Sequence, residues 1–309
     1  MTSSQHVVLG GNGVTGRETV RALLQRGESP VSVGRRPSAV DGARSVTADL
    51  LEPADVVRAM SGATVAYLTA GLPYSSRVWA RQWLVIVGNA IDAAVAGGTH
   101  LVYLDNVYAY GPVVGTMTER TPIAPTTRKG VIRANALAAI DDAVATRGLV
   151  ATVARSADFY GPGARTSVVN AFVLDKIADG DDATWLFDAD QPHSLTYTPD
   201  IGDALALLGT NPAARGRTWH LPTAPAMTGR EYVALAGGAD ASCRVMHRTT
   251  MRIGAVFSAA ARESLEMEYQ STAPYLFDSS AFEKVFGTSP TPVAEGIAAT
   301  LIAARAGRR

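Results

Sequence analysis

The chain opens on an apolar run of strand length, His6-Val7-Val8-Leu9, which stops at Gly10 and is followed by Gly13 and Gly16. Val20, Leu23 and Leu24 then recur at helical spacing until Gly27, so the pattern predicts a strand, a glycine turn and a helix. The two periods go on alternating. Pro30 to Gly34, Ala43 to Val46 and Val65 to Gly71 read as strands, with a short helix over Pro53 to Met60. Trp79, Trp83, Val87, Ala90, Ile91 and Ala94 form one apolar stripe of a long helix that ends at Gly97-Gly98. Tryptophans at that spacing are expected in the core. His100 to Leu104 is a fifth strand and Leu149 to Ala154 a sixth. Between them a helix runs from about Arg128 to Arg147, with Ile132, Ala136, Ile140 and Val144 on its buried side.

Strands alternating with helices in this way predict an α/β fold: a Rossmann-type, doubly wound parallel sheet whose ligand crevice lies at the carboxyl ends of the strands. From about Tyr160 the pattern loosens, and Phe172, Trp185, Phe187 and Trp219 stand among turns. Short capped helices recur there, opened by Thr198-Pro199, by Thr228 with Glu231, and by Thr291-Pro292. The expected organisation is a nucleotide-binding domain over residues 1–160 and a smaller α/β substrate lobe over 161–309. A segment near 193–222 is expected to return to the main sheet.

Composition narrows the function. With 28 Lys plus Arg against 28 Asp plus Glu in 309 residues, nothing favours a polyanion, so a small molecule rather than nucleic acid is the expected partner. No apolar run approaches the roughly 18 uninterrupted residues of a membrane span. The single cysteine, Cys243, and the absence of a leader-like N-terminus read as cytoplasmic. The five histidines lack ligand spacing, and no metal site is expected.

The turn from Gly10 through Asn12, Gly13, Val14 and Thr15 to Gly16 suits a nucleotide diphosphate. A backbone without β-carbons admits phosphate oxygens, and the first N–H groups of the following helix point at them. Arg35-Arg36 follows the second strand directly, where an acidic residue would hold a free ribose 2′-hydroxyl and an arginine would accept a 2′-phosphate. NADP (NADPH) is therefore the expected cofactor in preference to NAD.

Taken together these motifs resemble the extended or atypical branch of the short-chain dehydrogenase/reductase superfamily, the NAD-dependent epimerase/dehydratase-like proteins, over nearly the whole chain. Asp49-Leu50 resembles the family's adenine-binding pair, Thr69-Ala70-Gly71 its fourth-strand adenosine contact, and Tyr110-Gly111 the close of its fifth-strand loop. Arg155 with Phe159-Tyr160-Gly161-Pro162-Gly163, and His193 to Ile201, are similar to its later segments. The resemblance also implies a homodimer, because the family commonly pairs its fourth and fifth helices about a two-fold axis.

The family's chemistry uses a Tyr-x-x-x-Lys pair and a Ser or Thr, and here the sequence departs from it. Lys129 falls on the Tyr position, Arg133 on the Lys position and Asn106 on the Ser position. Arg133 would then reach the ribose hydroxyls and Lys129, one turn earlier, the nicotinamide, its pKa depressed by the neighbouring cation. Both are also readable as exposed helix charges. Arg128, Lys129 and Arg133 crowd a helix start that already carries partial positive charge, so an acidic partner is expected nearby. Tyr108 is an alternative proton donor and Asn106 an alternative hydrogen-bond donor to a carbonyl. Asp105 and Asp158 have the chemistry of a general base, or cap turns and pair with Arg155. Tyr160 and Trp185 are expected against the substrate. Three functions remain: an NADP(H)-dependent oxidoreductase acting on a carbonyl, hydroxyl, enone or imine of a small, fairly apolar metabolite; a redox-neutral epimerase, dehydratase or isomerase; and a non-catalytic NADP-binding sensor.

Overall fold

The computed structural model describes residues 5–307. Seven strands form one parallel sheet: β1 (His6–Leu9), β2 (Val31–Gly34), β3 (Arg44–Thr47), β4 (Val65–Leu68), β5 (His100–Asn106), β6 (Ala151–Ser156) and β7 (Thr218–His220). Their spatial order is β7-β6-β5-β4-β1-β2-β3, so the order reverses at β1, where a crevice opens beyond the carboxyl ends. Helices cover both faces, as parallel strands buried on both sides require. On one face α2 (Pro53–Met60), α3 (Ser76–Gly97) and α4 (Arg128–Arg147) enclose Leu9, Val33, Trp83, Leu101 and Ile140. On the other, α1 (Val14–Gln25) and α5 (Thr198–Thr210) enclose Val8, Leu23, Tyr67, Leu205 and Trp219. The last two helices touch closely because a β-carbon at Gly202 would stand 2.4 Å from the Glu18 carbonyl carbon.

Two details differ from the periodicity. Val144 is 44% exposed, and Ala143 takes the buried position on α4, because the stripe drifts by one residue over five turns. Strand β5 does not stop at Leu104 but continues through Asp105 and Asn106, which pair with Arg155 and Ser156 of β6. An aspartate in a buried strand reads as a terminator; here Arg133 and Arg155 neutralise it.

After β6 the chain builds a lobe around Tyr160, Trp185, Tyr232, Val233 and Ile297. There Ala183–Leu186 pairs in parallel with Cys243–Met246. Strand β7 rejoins the main sheet beside β6. Helices α6 (Arg248–Phe257) and α7 (Ala259–Leu265) follow, and Leu276–Phe277 then pairs with Thr116–Met117 beyond the end of β5. Among the described residues no helix is long and apolar enough to cross a membrane, and no group of three or more His, Cys, Asp or Glu side chains is placed to hold a metal ion.

Candidate functional site

At the reversal point the chain leaves β1 through Gly10, whose φ of +89° is open only to glycine without strain. A β-carbon there would lie 2.6 Å from Ala70 Cα, and one on Gly16 would lie 2.2 Å from the Gly10 carbonyl oxygen. The Gly13 N–H closes the turn onto that same oxygen at 2.8 Å. No side chain caps α1 and no acid stands in its first turn, so the N–H groups of Val14, Thr15 and Gly16 open onto the crevice with the positive end of the helix dipole behind them. These residues fit a dinucleotide pyrophosphate.

Asn12 holds the next part of the site in place. Its amide nitrogen donates to the carbonyls of Arg36 and Pro37, both at 2.9 Å, and its oxygen accepts from the Ala39 N–H at 3.0 Å. The loop carrying Arg35 and Arg36 is thereby tied to the glycine turn. Both arginines are exposed. Thr69 donates through its N–H and its hydroxyl to the Leu9 carbonyl, locking the ends of β4 and β1 together and leaving Ala70 and Gly71 at the rim. Asp49 accepts from the Leu51 N–H at 3.0 Å, and the Leu50 carbonyl accepts from Asn89 on α3 at 2.9 Å.

The other end of the crevice departs from expectation. Thr127 caps α4, accepting from the Gly130 N–H at 3.0 Å. Lys129 is fully buried rather than exposed. Its ammonium pairs with the carboxylates of Glu263 and, at 2.7 Å, Glu266, and sits 4.5 Å from the centre of the Tyr74 ring. Glu266 also accepts from the Lys129 N–H at 3.1 Å, while Glu263 accepts from the N–H and hydroxyl of Ser76 at 3.0 and 3.1 Å. Each carboxylate therefore caps one helix start, Glu263 that of α3 and Glu266 that of α4, and both neutralise the same lysine. Burial alone would raise the Glu263 carboxyl, but hydrogen bonds from Lys129 and Ser76 hold it below the ordinary carboxylate value.

Arg133 does not reach toward a ribose. Its guanidinium lies 3.9 Å from the Trp83 ring centre and 5.0 Å from that of Trp79, donates to the Tyr103 hydroxyl at 3.1 Å and pairs with Asp105 at 3.4 Å. The two tryptophans form a flat apolar shelf under α4 on which a planar cation stacks, and Asp105 supplies the charge. Lys129 and Arg133 are thus set against different carboxylates, Lys129 against Glu263 and Glu266 and Arg133 against Asp105. Asp105 is shared with Arg155, whose Nε donates to it at 3.1 Å. Arg155 also donates to the Tyr110 hydroxyl at 2.5 Å. His220 Nδ1 donates to the Asp278 carbonyl at 2.8 Å, which leaves Nε2 to accept from the Tyr110 hydroxyl, also at 2.8 Å. Burial pushes His220 down to about 3, so the imidazole is neutral.

Asn106, Tyr108 and Asp158 meet at the carboxyl ends of β5 and β6. The Asn106 oxygen accepts from the Tyr108 N–H at 3.1 Å. Tyr108 stacks on Trp79, and its hydroxyl lies beside that of Tyr74. Burial raises the Tyr108 phenol well above its ordinary value, making it a poor proton donor. Asp158 does not pair with Arg155; its carboxylate takes a hydrogen bond from His193 Nε2 at 3.1 Å. His193 stacks on Tyr275 at 4.3 Å. The Asp158 charge is felt by Tyr74, Tyr108, Tyr269 and Tyr275, which surround it.

Tyr160 and Trp185 are core residues rather than substrate contacts. Tyr160 is 2% exposed, tilted against Tyr197, with its hydroxyl where a β-carbon on Gly296 would fall. Trp185 packs parallel to Tyr232 over Gly229. Large aromatics fill this small lobe because glycines on its helices let them in. Glu263, Glu266, Tyr74, His193 and Tyr275 were not singled out as site residues by sequence. The cation excess at the start of α4 called for an acid without saying which, and His193 stood only within a segment that resembles the family.

The model of the NAD dependent epimerase/dehydratase family matches residues 6–221, and the chain belongs to that family. The same fold appears in the UDP-glucose 4-epimerase of Thermotoga maritima, solved with UDP-glucose, at 16% identity and a TM-score of 0.80 over 99% of this chain and 100% of that one. The dTDP-glucose 4,6-dehydratase DesIV of Streptomyces venezuelae, solved as a double mutant with NAD, aligns at 20% identity and a TM-score of 0.78 over 98% and 97% of the two chains. The UDP-glucuronic acid 4-epimerase of Bacillus cereus, solved with NAD, aligns at 14% identity and a TM-score of 0.79 over 99% and 100%. No curated protein matches the sequence.

Proposed function

We propose that the chain is an NADP(H)-dependent oxidoreductase acting on a carbonyl group, or the corresponding hydroxyl, of a small, mostly apolar molecule. The observation that carries the reading is the pair Arg35 and Arg36. Both are exposed at the end of β2, held there by Asn12, enter no salt bridge among the described residues, and have no acid between Gly34 and Pro37 to favour a free 2′-hydroxyl. The reduced nicotinamide, when bound, supplies a hydride to the carbonyl carbon. The Asn106 amide nitrogen, without a hydrogen bond to any described residue, donates to the carbonyl oxygen, and the proton that completes the alcohol starts on a protonated His193 imidazole and passes through the Asp158 carboxylate bonded to it, leaving the imidazole neutral and the carboxylate unchanged. Lys129 serves to close the crevice through its two glutamates and Arg133 to support the sheet beneath it.

A redox-neutral epimerase or dehydratase is the second reading, supported by the family and by the nucleotide-sugar enzymes that share the fold. Such a substrate brings a second pyrophosphate. Against this, Lys176, Arg230, Arg244 and Arg248 of the lobe are each paired with a nearby carboxylate, whereas Arg165 enters no salt bridge among the described residues and is the cation left for such a group. Arg215 precedes β7, at the end of the sheet opposite the crevice.

Titration with NADPH and NADH, followed by a panel of ketones, enones and nucleotide sugars, tests the proposal. Steady loss of the reduced nicotinamide signal supports it. Product without net loss supports the second reading, and tight binding without turnover leaves a sensor. Arg35→Ala or Arg36→Ala should weaken NADPH roughly 10- to 100-fold, the value of one charge-assisted hydrogen bond, and leave NADH within a few-fold. Equal weakening of both nucleotides refutes the 2′-phosphate assignment.

A further inference from the structure

Beyond the end of β5 lies a cavity of about 130 Å³, walled by Val107, Met117, Pro274, Tyr269, Gln270 and Tyr275. Its volume is close to the ~150 Å³ that accepts a benzene ring in an engineered cavity. Most of the wall is apolar, yet two buried polar atoms belonging to it have no partner. Among the described residues neither the Tyr269 hydroxyl nor Gln270 Nε2 has a hydrogen-bond partner, Nε2 lying near the Tyr275 hydroxyl without hydrogen-bonding geometry. Gln270 as a whole is 5% exposed. A buried donor left unmet is costly, on the order of 1–3 kcal/mol, which marks a place where something else is meant to bind.

The two orphans define the occupant. An amide nitrogen only donates, and a phenol hydroxyl is free to donate beside it, so the ligand presents an acceptor oxygen to both. That oxygen does not belong to an anion, because Asp158 and Glu266 set a negative field at the Tyr269 hydroxyl. We propose that this cavity is a binding site for a neutral carbonyl compound of about the size of a six-membered ring, held by Tyr269 and Gln270 through its carbonyl-type oxygen and by Val107, Met117 and Pro274 through its hydrocarbon. Calling that compound the substrate rests on the oxidoreductase reading. The cavity stands next to the reacting end of the crevice, since Val107 directly follows Asn106 and Tyr275 accepts from the Asp158 N–H at 3.3 Å.

Saturation-transfer NMR titrations with cyclohexanone and with cyclohexanecarboxylate, on the full chain, test this. Cyclohexanone is expected to bind at least tenfold more tightly than the carboxylate. Tyr269→Phe and Gln270→Leu should each weaken it threefold or more. Ala273→Trp, placed at the exposed rim so that the core is untouched, should abolish the signal. Absent binding, equal affinity for the carboxylate, or binding undisturbed by Ala273→Trp overturns the proposal and leaves the two polar atoms to bound water. Cofactor titration of the same samples separates the two ideas. Cyclohexanone binding without NADPH binding refutes the oxidoreductase reading alone, and NADPH-driven turnover of carbonyls with no cyclohexanone in this cavity refutes the cavity alone.

Discussion

Replacing Lys129 with methionine isolates what holds the lobe to the sheet. The lysine is fully buried, and its two carboxylate partners are only 15% and 18% exposed, so their attraction is little screened. Removing the cation leaves two partly desolvated negative charges side by side, with only the helix starts of α3 and α4 to compensate, at about 0.3–1 kcal/mol each. Breaking a buried pair in this way costs about 3–5 kcal/mol. Adding Glu263→Gln and Glu266→Gln removes the stranded charges, and the combined variant should recover to within about 2 kcal/mol of the native chain, because an uncharged replacement of a buried ion pair is close to neutral. Urea unfolding at pH 7 measures both. The pH dependence supplies a sign. In the native chain the Glu263 carboxyl lies below its ordinary 4.5, so its contribution is complete above that value and is lost on acidification. Without Lys129, burial raises it instead, and a raised carboxyl destabilises as pH rises. The gap between Lys129→Met and the native chain should therefore narrow from pH 7 to pH 5. A deficit under about 1 kcal/mol, a combined variant less stable than the single one, or a gap that widens on acidification refutes the reasoning.

Two further outcomes follow from the buried polar network. Asp105 is the single carboxylate between Arg133 and Arg155 and is itself fully buried, so Asp105→Asn should cost about 3–5 kcal/mol in chemical denaturation, whereas Asp158→Asn, at 37% side-chain exposure, should cost under about 1 kcal/mol. Burial, aided by the field of Arg215, holds His100 down to about 4 against 6.5 when unfolded. The sign of a lowered imidazole is that stability is complete above 6.5 and is lost as pH falls toward 4, by ~3 kcal/mol for this group. An unfolding midpoint that stays flat from pH 7.5 to pH 5 excludes that assignment.

Local chemistry alone determined the fold and the glycine turn that lines one end of the crevice. A strand run into Gly10 and Gly16, with a helix behind, has one outcome, since the same backbone positions exclude a β-carbon in any context. Helix starts and stops were local only in part: the Thr228 and Glu231 box forms, and Gly98 and Gly148 end their helices in the left-handed region, whereas Tyr197 and Pro292 stand at the starts expected to be capped by Thr198 and Thr291, and neither threonine caps. The end at Lys129 and Asp105 was different. Whether Lys129 faces water, a nicotinamide or two glutamates depends on residues more than 130 positions away that α7 brings over the starts of α3 and α4. Asp105 looked like the end of a strand until two arginines, one on α4 and one on β6, made its burial affordable. Tyr160 and Trp185 went to the core because Gly296 and Gly229, far off in sequence, left room for them. Turn and cap preferences act within a few residues and are written in order along the chain. Charge pairing and side-chain burial act through space, and only the folded chain decides which partners meet.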